Sequence, residues 1–135
     1  MSDIVALTAA QAAAAVGKGD LDPGELFEAY RARAAADDLN AYVWVAGEDA
    51  TGANGAGAAG GPSPLGGVPL GVKDLFCTEG VPSQAGSRIL EGYRPPYTAT
   101  SVKRLEDAGA PVIAKTNQDE MNRIKINSIS TLSSP

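Results

Sequence analysis

Lys73 is the residue of this sequence whose setting could best support catalysis. It ends the apolar run "GGVPLGVK" and is followed by "DLF". On a strand, Lys73 would share a face with Gly71, whose missing side chain lets a ligand or another backbone approach closely. A lysine kept from water loses its proton more readily and can then act as a base toward a serine hydroxyl. The alternative is that Lys73 ends a strand and points into solvent, as most lysines do.

The glycines before Lys73 also have the spacing of a phosphate-binding loop, G-x-x-x-x-G from Gly66 to Gly71. Val72 separates Gly71 from the lysine, and Asp74 stands where a hydroxyl residue would bind magnesium. These glycines also lie before and within a strand pattern instead of between a strand and a helix. We therefore reject a phosphate-binding loop and predict no cofactor site in the chain.

The single cysteine, Cys77, lies four residues after Lys73 and has no cysteine with which to form an internal disulfide. Its position near a candidate base suits a thiol nucleophile, but we expect a buried and inert thiol instead. The sequence contains no histidine and no cysteine spacing typical of zinc sites, so we predict no metal site.

Length and composition favour a single water-soluble domain. The chain has 135 residues and a net charge of −5, which argues against a nucleic-acid surface of its own. Its alanine-rich N-terminus lacks the basic start and long apolar core of a signal peptide or membrane span. We therefore expect a cytoplasmic protein that does not contact membranes.

Two helices are predicted before the first strand. The residues Thr8 and Gln11 form a capping box that begins an alanine-rich helix over residues 9–16, which Gly17 would end. The sequence "DPGE" then supplies a cap, a proline and a glutamate at the start of a helix over about residues 22–36.

The later segments predict a parallel pair of strands that would position Lys73. The segment "NAYVWVA" alternates as a strand, and a glycine-rich loop follows over residues 50–64. Val68, Leu70 and Val72 alternate as a second strand. The chain then continues with a turn-rich segment, a helix that ends at Gly109 and an apolar strand over residues 112–115. A strand, a helical crossover and another strand indicate an α/β class.

Four motifs together resemble a known family: "GVPLGVKDLF", "TEGVPSQAGSRIL", "YRPPYTAT" and "GAPVIAKTNQDE". In this order and spacing they resemble the amidase signature family, and within it the branch of tRNA amidotransferase A-subunits. The resemblance runs from about Leu7 to Glu120. It implies the N-terminal part of a larger α/β fold, a mixed sheet covered by helices, which is incomplete in this chain.

The resemblance also implies a chemistry. Members hydrolyse amides with a serine nucleophile, a second serine in a cis peptide bond and a lysine base, and the lysine maps onto Lys73. In the amidotransferase branch, the A-subunit would hydrolyse glutamine and supply ammonia to partner subunits B and C. Those subunits amidate mischarged Glu-tRNA(Gln) or Asp-tRNA(Asn) with ATP and magnesium, so tRNA would be met only through the complex.

The chain departs from the family pattern after "KTNQDE". The family continues into a glycine- and serine-rich segment with both catalytic serines, whereas "MNRIKINSISTLSSP" stands here. No glycine flanks the serines of this tail, which we interpret as solvated residues: Ser128, Ser130, Ser133 and Ser134. We predict an amidase segment over residues 1–120, a divergent tail over 121–135 consistent with a frameshift, and an inactive isolated chain. Thr98 replaces an acidic residue and is expected to cap the following helix.

Two alternatives to the amidotransferase hypothesis stay open. The chain could be a fragment of a general amidase that acts on small amides, which would share Lys73 and need no tRNA partner. It could also be a non-catalytic module whose N-terminal helices bind amidotransferase subunits.

Overall fold

The computed structural model describes residues 4–47 and 63–118. Its elements are a 3-10 turn at Ile4–Ala6, α1 (Ala9–Lys18), α2 (Pro23–Ala35), β1 (Tyr42–Val45), β2 (Leu70–Lys73), a 3-10 turn at Arg88–Leu90, α3 (Thr100–Asp107) and β3 (Val112–Thr116). Within these two ranges no helix is long and apolar enough to cross a bilayer. The predicted tail over 121–135, and all but the last two residues of the predicted loop over 50–64, lie outside the described residues.

Helix α1 begins as predicted and ends later than predicted. Thr8 Oγ1 accepts a hydrogen bond from the Gln11 N–H at 3.3 Å, and Gln11 Oε1 accepts one from the Thr8 N–H at 2.9 Å. Gly17 lies inside the helix, so the predicted end there is wrong. Gly19 ends it instead, because its backbone takes the left-handed conformation at φ +79° and its N–H reaches the last turn.

Helix α2 begins at the predicted signal. Asp22 Oδ1 accepts a hydrogen bond from the Glu25 N–H at 3.0 Å, and Pro23 occupies the first helical position. Leu26 and Phe27 are both buried, and Phe27 packs with Ile113 of the sheet. The cap therefore fixes the start of a helix that supplies a large part of the core.

The Asp22 cap makes a testable contribution to stability. We expect Asp22→Ala to lower the free energy of unfolding by about 1 kcal/mol, because the Glu25 N–H loses its acceptor. Urea denaturation of the 135-residue chain would measure the change. Asp22→Ser is the matched control and should remain close to the unsubstituted chain, since a serine hydroxyl also caps; an equal loss in both variants would contradict this role.

Within the described residues the sheet has three strands in the order β1-β3-β2, so β3 lies in the centre. The predicted parallel pairing of β2 with β3 is confirmed. Strand β1 pairs with β3 in the antiparallel direction, which makes the sheet mixed. Lys73 lies opposite Thr116 in this register, and Gly71 lies opposite Ala114.

Apolar clusters pack against both faces of the sheet. One cluster joins Phe27 of α2 to Ile113, and the other joins Val102 of α3 to Val72 and Val112. Val112 and Ile113 are consecutive strand residues and so point to opposite faces. Helices α2 and α3 therefore hold β3 from either side and fix the register that positions Lys73.

Helix α3 ends near the predicted glycine, but its predicted cap is wrong. The helix stops at Asp107, and Gly109 follows with φ +93°. Its first turn has Ala99 at the cap position, and alanine offers no oxygen to accept a hydrogen bond. The Thr98 hydroxyl lies one residue too early and accepts a hydrogen bond from the Glu79 N–H at 3.0 Å instead.

Candidate functional site

Lys73 lies at the carboxyl end of β2, beside the carboxyl end of β3. Its Cα partner across the parallel pair is Thr116, the last residue of β3. Ligands of open α/β sheets bind at the carboxyl ends of parallel strands. The chain that leaves β3 therefore starts next to Lys73, at the edge of the sheet where a site is expected.

The surroundings of Lys73 are half-buried and leave space on one side. Gly71 lies two residues before it on the same face of β2 and is exposed. A methyl group built on Gly71 would meet the Thr116 methyl at 3.5 Å, which is an ordinary contact. The backbone of Lys73 is fixed by a turn, since its carbonyl accepts a hydrogen bond from the Phe76 N–H at 2.9 Å.

Asp74 organises the loop that follows β2, residues 74–87, called the β2 loop below. The Asp74 side chain is buried, and its carboxylate accepts hydrogen bonds from the Gln84 and Gly86 N–H groups, each at 3.1 Å. The Asp74 N–H donates to the Thr116 carbonyl at 3.1 Å. One residue therefore joins the far part of the loop to the ends of both parallel strands.

Lys115 is the second buried charge beside the β2 loop. The side chain is fully buried in the middle of the sheet, and its Nζ donates to the Phe76 carbonyl, to Thr78 Oγ1 at 3.3 Å and to Ser83 Oγ at 3.1 Å. Burial lowers the pKa of Lys115, and the nearby Asp74 carboxylate acts in the opposite direction.

The sequence pattern places Lys115 only at the end of a strand. The signal that could have identified it is the unbroken run "APVIA" before it, because a strand buried on both faces leaves no exposed side for a lysine. A lysine inside such a strand must find acceptors within the protein, and the β2 loop supplies them.

The buried position of Lys115 predicts a pH dependence of stability. Because its pKa in the folded chain lies below the ordinary value of 10.5, the unfolded chain binds more protons between the two values. The free energy of unfolding should therefore rise with pH in the window that ends near 10.5. Urea denaturation at a series of pH values would measure it, and Lys115→Met should lack this rise; identical pH slopes in the two proteins would contradict the prediction.

Cys77 was expected to be buried, and this expectation is wrong in part. The thiol is half-buried and lies 3.5 Å from the Tyr97 hydroxyl. The turn that carries it is at the surface, where the neighbouring Phe76 side chain is also exposed. The hydrogen bond with Cys77 raises the pKa of Tyr97. That the thiol is inert stays a prediction.

Among the residues that the structure describes, no cluster of three or more histidine, cysteine, aspartate or glutamate side chains could hold a metal ion. The serines of the predicted tail lie outside the described residues. What the structure brings together at the end of β2 is therefore Lys73, the buried Asp74 and, through the β2 loop, Lys115.

Comparison with protein families gives a match to the Amidase model over residues 25–128. The chain is 44% identical over 127 residues to the glutamyl-tRNA(Gln) amidotransferase A-subunit of Salinispora arenicola, covering 89% of this chain and 26% of that protein. The A-subunit of Streptomyces coelicolor is 45% identical over 130 residues with the same coverage. The chain thus spans about a quarter of the length of the curated relatives it matches.

Two solved structures share the fold. The native peptide amidase of Stenotrophomonas maltophilia superposes with a TM-score of 0.73 at 36% identity, covering 83% of this chain and 25% of that chain. A protein of the complex described as revealing the origins of an s-triazine catabolic enzyme gives a TM-score of 0.75 at 30% identity, covering 84% of this chain and 27% of that chain. These likenesses confirm the predicted α/β fold class with its mixed sheet.

Proposed function

Since the chain belongs to the amidase family, we propose that it forms the N-terminal part of an amide-hydrolysing subunit in which Lys73 is the general base. The family match includes β2, the β2 loop and β3. Relatives named as glutamyl-tRNA(Gln) amidotransferase A-subunits favour glutamine as the amide that the complete subunit hydrolyses.

One observation carries this proposal: Lys73 lies opposite Thr116, where β3 ends. In the pattern of the amidase signature family the catalytic serines follow this strand in sequence. A segment that continues from β3 would therefore begin beside Lys73, within a few residues of the proposed base.

The chemistry asked of Lys73 is proton transfer. In its neutral form the amine would take the proton of a serine hydroxyl as the serine oxygen attacks the amide carbon of glutamine. The proton would then pass to the departing nitrogen, so that ammonia leaves and an acyl-serine remains for water to hydrolyse. We place both serines outside this chain, so the 135 residues alone should not complete the reaction.

A fusion protein tests the proposal. Residues 1–118 would be joined, in the register of the alignment, to the remainder of the Streptomyces coelicolor A-subunit. Ammonia release from glutamine would be measured with that organism's other amidotransferase subunits present and with its unmodified A-subunit as the positive control. We expect the fusion protein to be active and the 135-residue chain to be inactive.

Two outcomes would count against the proposal. A folded but inactive fusion protein beside an active positive control would show that this chain cannot supply the base. Glutamine-dependent ammonia release by the purified 135-residue chain would show that the nucleophile lies within it.

The partners of the complete protein follow from the same proposal. Ammonia would pass to subunits B and C, which amidate mischarged tRNA with ATP and magnesium in the cytoplasm. This chain would bind neither cofactor itself and would meet tRNA only through the complex.

The likeness to the peptide amidase supports a second candidate, a general amidase that acts without partner subunits. Copurification with subunits B and C separates the candidates. The amidotransferase hypothesis expects the fusion protein to bind them, and a general amidase would not. If the 135-residue chain binds subunits B and C but the fusion protein hydrolyses no amide, the chain is a non-catalytic interaction module.

Cys77 is expected to take no part in the reaction. We expect Cys77→Ala to leave the rate of glutamine hydrolysis by the fusion protein within about twofold, because the half-buried thiol lies beside the Tyr97 hydroxyl and the proposed proton transfer does not use it. Kinetics at saturating glutamine would test this. A loss comparable to that of the Lys73 variants would identify the thiol as a reacting group.

A further inference from the structure

Lys115 places a charged group where a strand residue normally meets apolar packing. Its ammonium group has three N–H donors, and the β2 loop offers three oxygen acceptors: the Phe76 carbonyl, Thr78 Oγ1 and Ser83 Oγ. These acceptors are uncharged, so the cost of burying the charge is offset by hydrogen bonds to loop atoms rather than by a contacting carboxylate. Such an arrangement holds the loop against the centre of the sheet.

Phe76 is the residue of this network that is bonded to the proposed base. The Phe76 N–H donates to the carbonyl of Lys73 at 2.9 Å, which closes a tight turn at the end of β2. The carbonyl of the same residue accepts from Lys115 Nζ. Lys73 and Lys115 are thus connected through one residue, with Phe76 bonded to both.

Further contacts make the turn depend on Lys115. Thr78 Oγ1 accepts from Lys115 and donates to the Phe76 carbonyl at 3.5 Å. Ser83 Oγ accepts from Lys115 and donates to the Val81 carbonyl at 3.2 Å. Without the ammonium group, Thr78 Oγ1 would lose its donor. The Phe76 carbonyl and Ser83 Oγ would each keep one long hydrogen bond, from Thr78 Oγ1 at 3.5 Å and from the Thr78 N–H at 3.4 Å, so the loop would be held less firmly.

We propose that Lys115 is a positioning residue for Lys73: its buried ammonium group fixes the Phe76 carbonyl and thereby the turn from which the Lys73 side chain extends. This inference rests on the proposed role of Lys73 as base. It assigns Lys115 no contact with substrate and no proton transfer. Its effect is on where the Lys73 amine lies relative to a serine hydroxyl, and small displacements of a reacting group carry large rate penalties.

Lys115→Met in the fusion protein tests the inference, because methionine fills a similar volume and removes every donor. We expect kcat for glutamine hydrolysis to fall about 10- to 100-fold, while KM stays within about threefold, because the inferred role concerns the position of the base during proton transfer. Lys103→Met is the matched control: that lysine is exposed and pairs with Asp107 on α3, so its loss should leave both constants unchanged.

A second variant separates positioning from stability. Asp22→Ala removes the cap of α2 and should lower the melting temperature, yet Asp22 has no part in the hydrogen bonds that join Lys115, Phe76 and Lys73. We expect its kcat to stay within about twofold of the unmodified fusion protein. If Asp22→Ala lowers kcat as much as Lys115→Met does, the loss reflects stability only and the inference is overturned.

Hydrogen exchange of the 135-residue chain gives a readout that does not depend on catalysis. In Lys115→Met we expect the Phe76 amide to exchange faster relative to the amides of α2, because its turn opens locally. An equal increase in the exchange rates of the Phe76 amide and of the α2 amides would overturn the inference. Lys115→Gln replaces Lys115→Met if the methionine variant does not fold, because glutamine keeps two N–H donors on a shorter side chain. We expect it to give intermediate losses of kcat and of hydrogen-exchange protection at the Phe76 amide. Unchanged values of both would contradict the inference.

Failure of the proposed function would look different. If Lys73 is not the base, substitution of Lys73 leaves the fusion protein active, whereas exchange at the Phe76 amide still reports whether Lys115 holds the turn. If the Phe76 amide exchanges fast in Lys115→Met while kcat is unchanged, Lys115 does hold the turn but does not position Lys73 for catalysis.

Discussion

Replacing Lys73 with alanine in the fusion protein should lower the rate of glutamine hydrolysis by about 10²–10⁴-fold, the range that a general base contributes. The loss follows from the position of Lys73 at the carboxyl end of β2, opposite the last residue of β3. Without the amine, the serine hydroxyl must give its proton to water in the step that forms the acyl-enzyme. Kinetics at saturating glutamine would measure the change, since the loss falls on kcat.

Lys73→Arg sharpens this prediction. Arginine keeps the positive charge and the length of the side chain, but its guanidinium group does not release a proton in proteins and cannot serve as a base. We therefore expect Lys73→Arg to be as inactive as Lys73→Ala. Unchanged melting temperatures would show that both variants fold, and an arginine variant with near-normal activity would mean that the residue supplies charge and not proton transfer.

Asp74→Ala is expected to lower the free energy of unfolding by about 3 kcal/mol. The change leaves the half-buried Gln84 and Gly86 N–H groups without their acceptor and removes a buried carboxylate whose charge favours the Lys115 ammonium group. A loss of this size is a large fraction of the stability of a domain of this length. Urea denaturation of the fusion protein would measure this loss of free energy. The spectroscopic signal followed should come from the N-terminal segment.

Asp74→Asn and Asp107→Ala are the controls for this change. Asparagine keeps one oxygen acceptor and the shape of the side chain, so it should cost less than alanine. Asp107 is exposed on α3, and its loss should change the free energy of unfolding by no more than about 0.5 kcal/mol. Equal effects at positions 74 and 107 would show that the buried carboxylate does not organise the β2 loop.

The elements of this fold were predictable where a local signal fixes them. The capping box at Thr8 and the Asp22-Pro23 start determine helix boundaries through side-chain hydrogen bonds that span three residues. Strand β3 was visible as an apolar run. The wrong end at Gly17 has a plain cause: a glycine marks a helix end only where the backbone turns left-handed, and the sequence offers two glycines two residues apart.

The candidate site was predictable only in part. The pattern around Gly71 and the motifs after it indicate Lys73 as a candidate, but nothing in a single sequence indicates that Lys115 contacts the loop to which Asp74 belongs. The Asp74–Gln84 contact joins residues 10 positions apart within that loop. The Lys115–Phe76 contact joins residues 39 positions apart and depends on the parallel pairing of β2 and β3. The antiparallel direction of β1 likewise depends on a long connection, for which local patterns carry no information.

The central place of β3 in the sheet has a consequence for synthesis on the ribosome. Neither β1 nor β2 can pair with its neighbour until residues 112–116 have been made, because β3 lies between them. At ordinary elongation rates of about 5–20 residues per second, β1 waits on the order of several seconds with its backbone unpaired. During that interval α1 and α2 can already form, since their hydrogen bonds are local. The nascent chain should therefore be recognised by chaperones chiefly through Tyr42–Val45, and release should coincide with the emergence of β3.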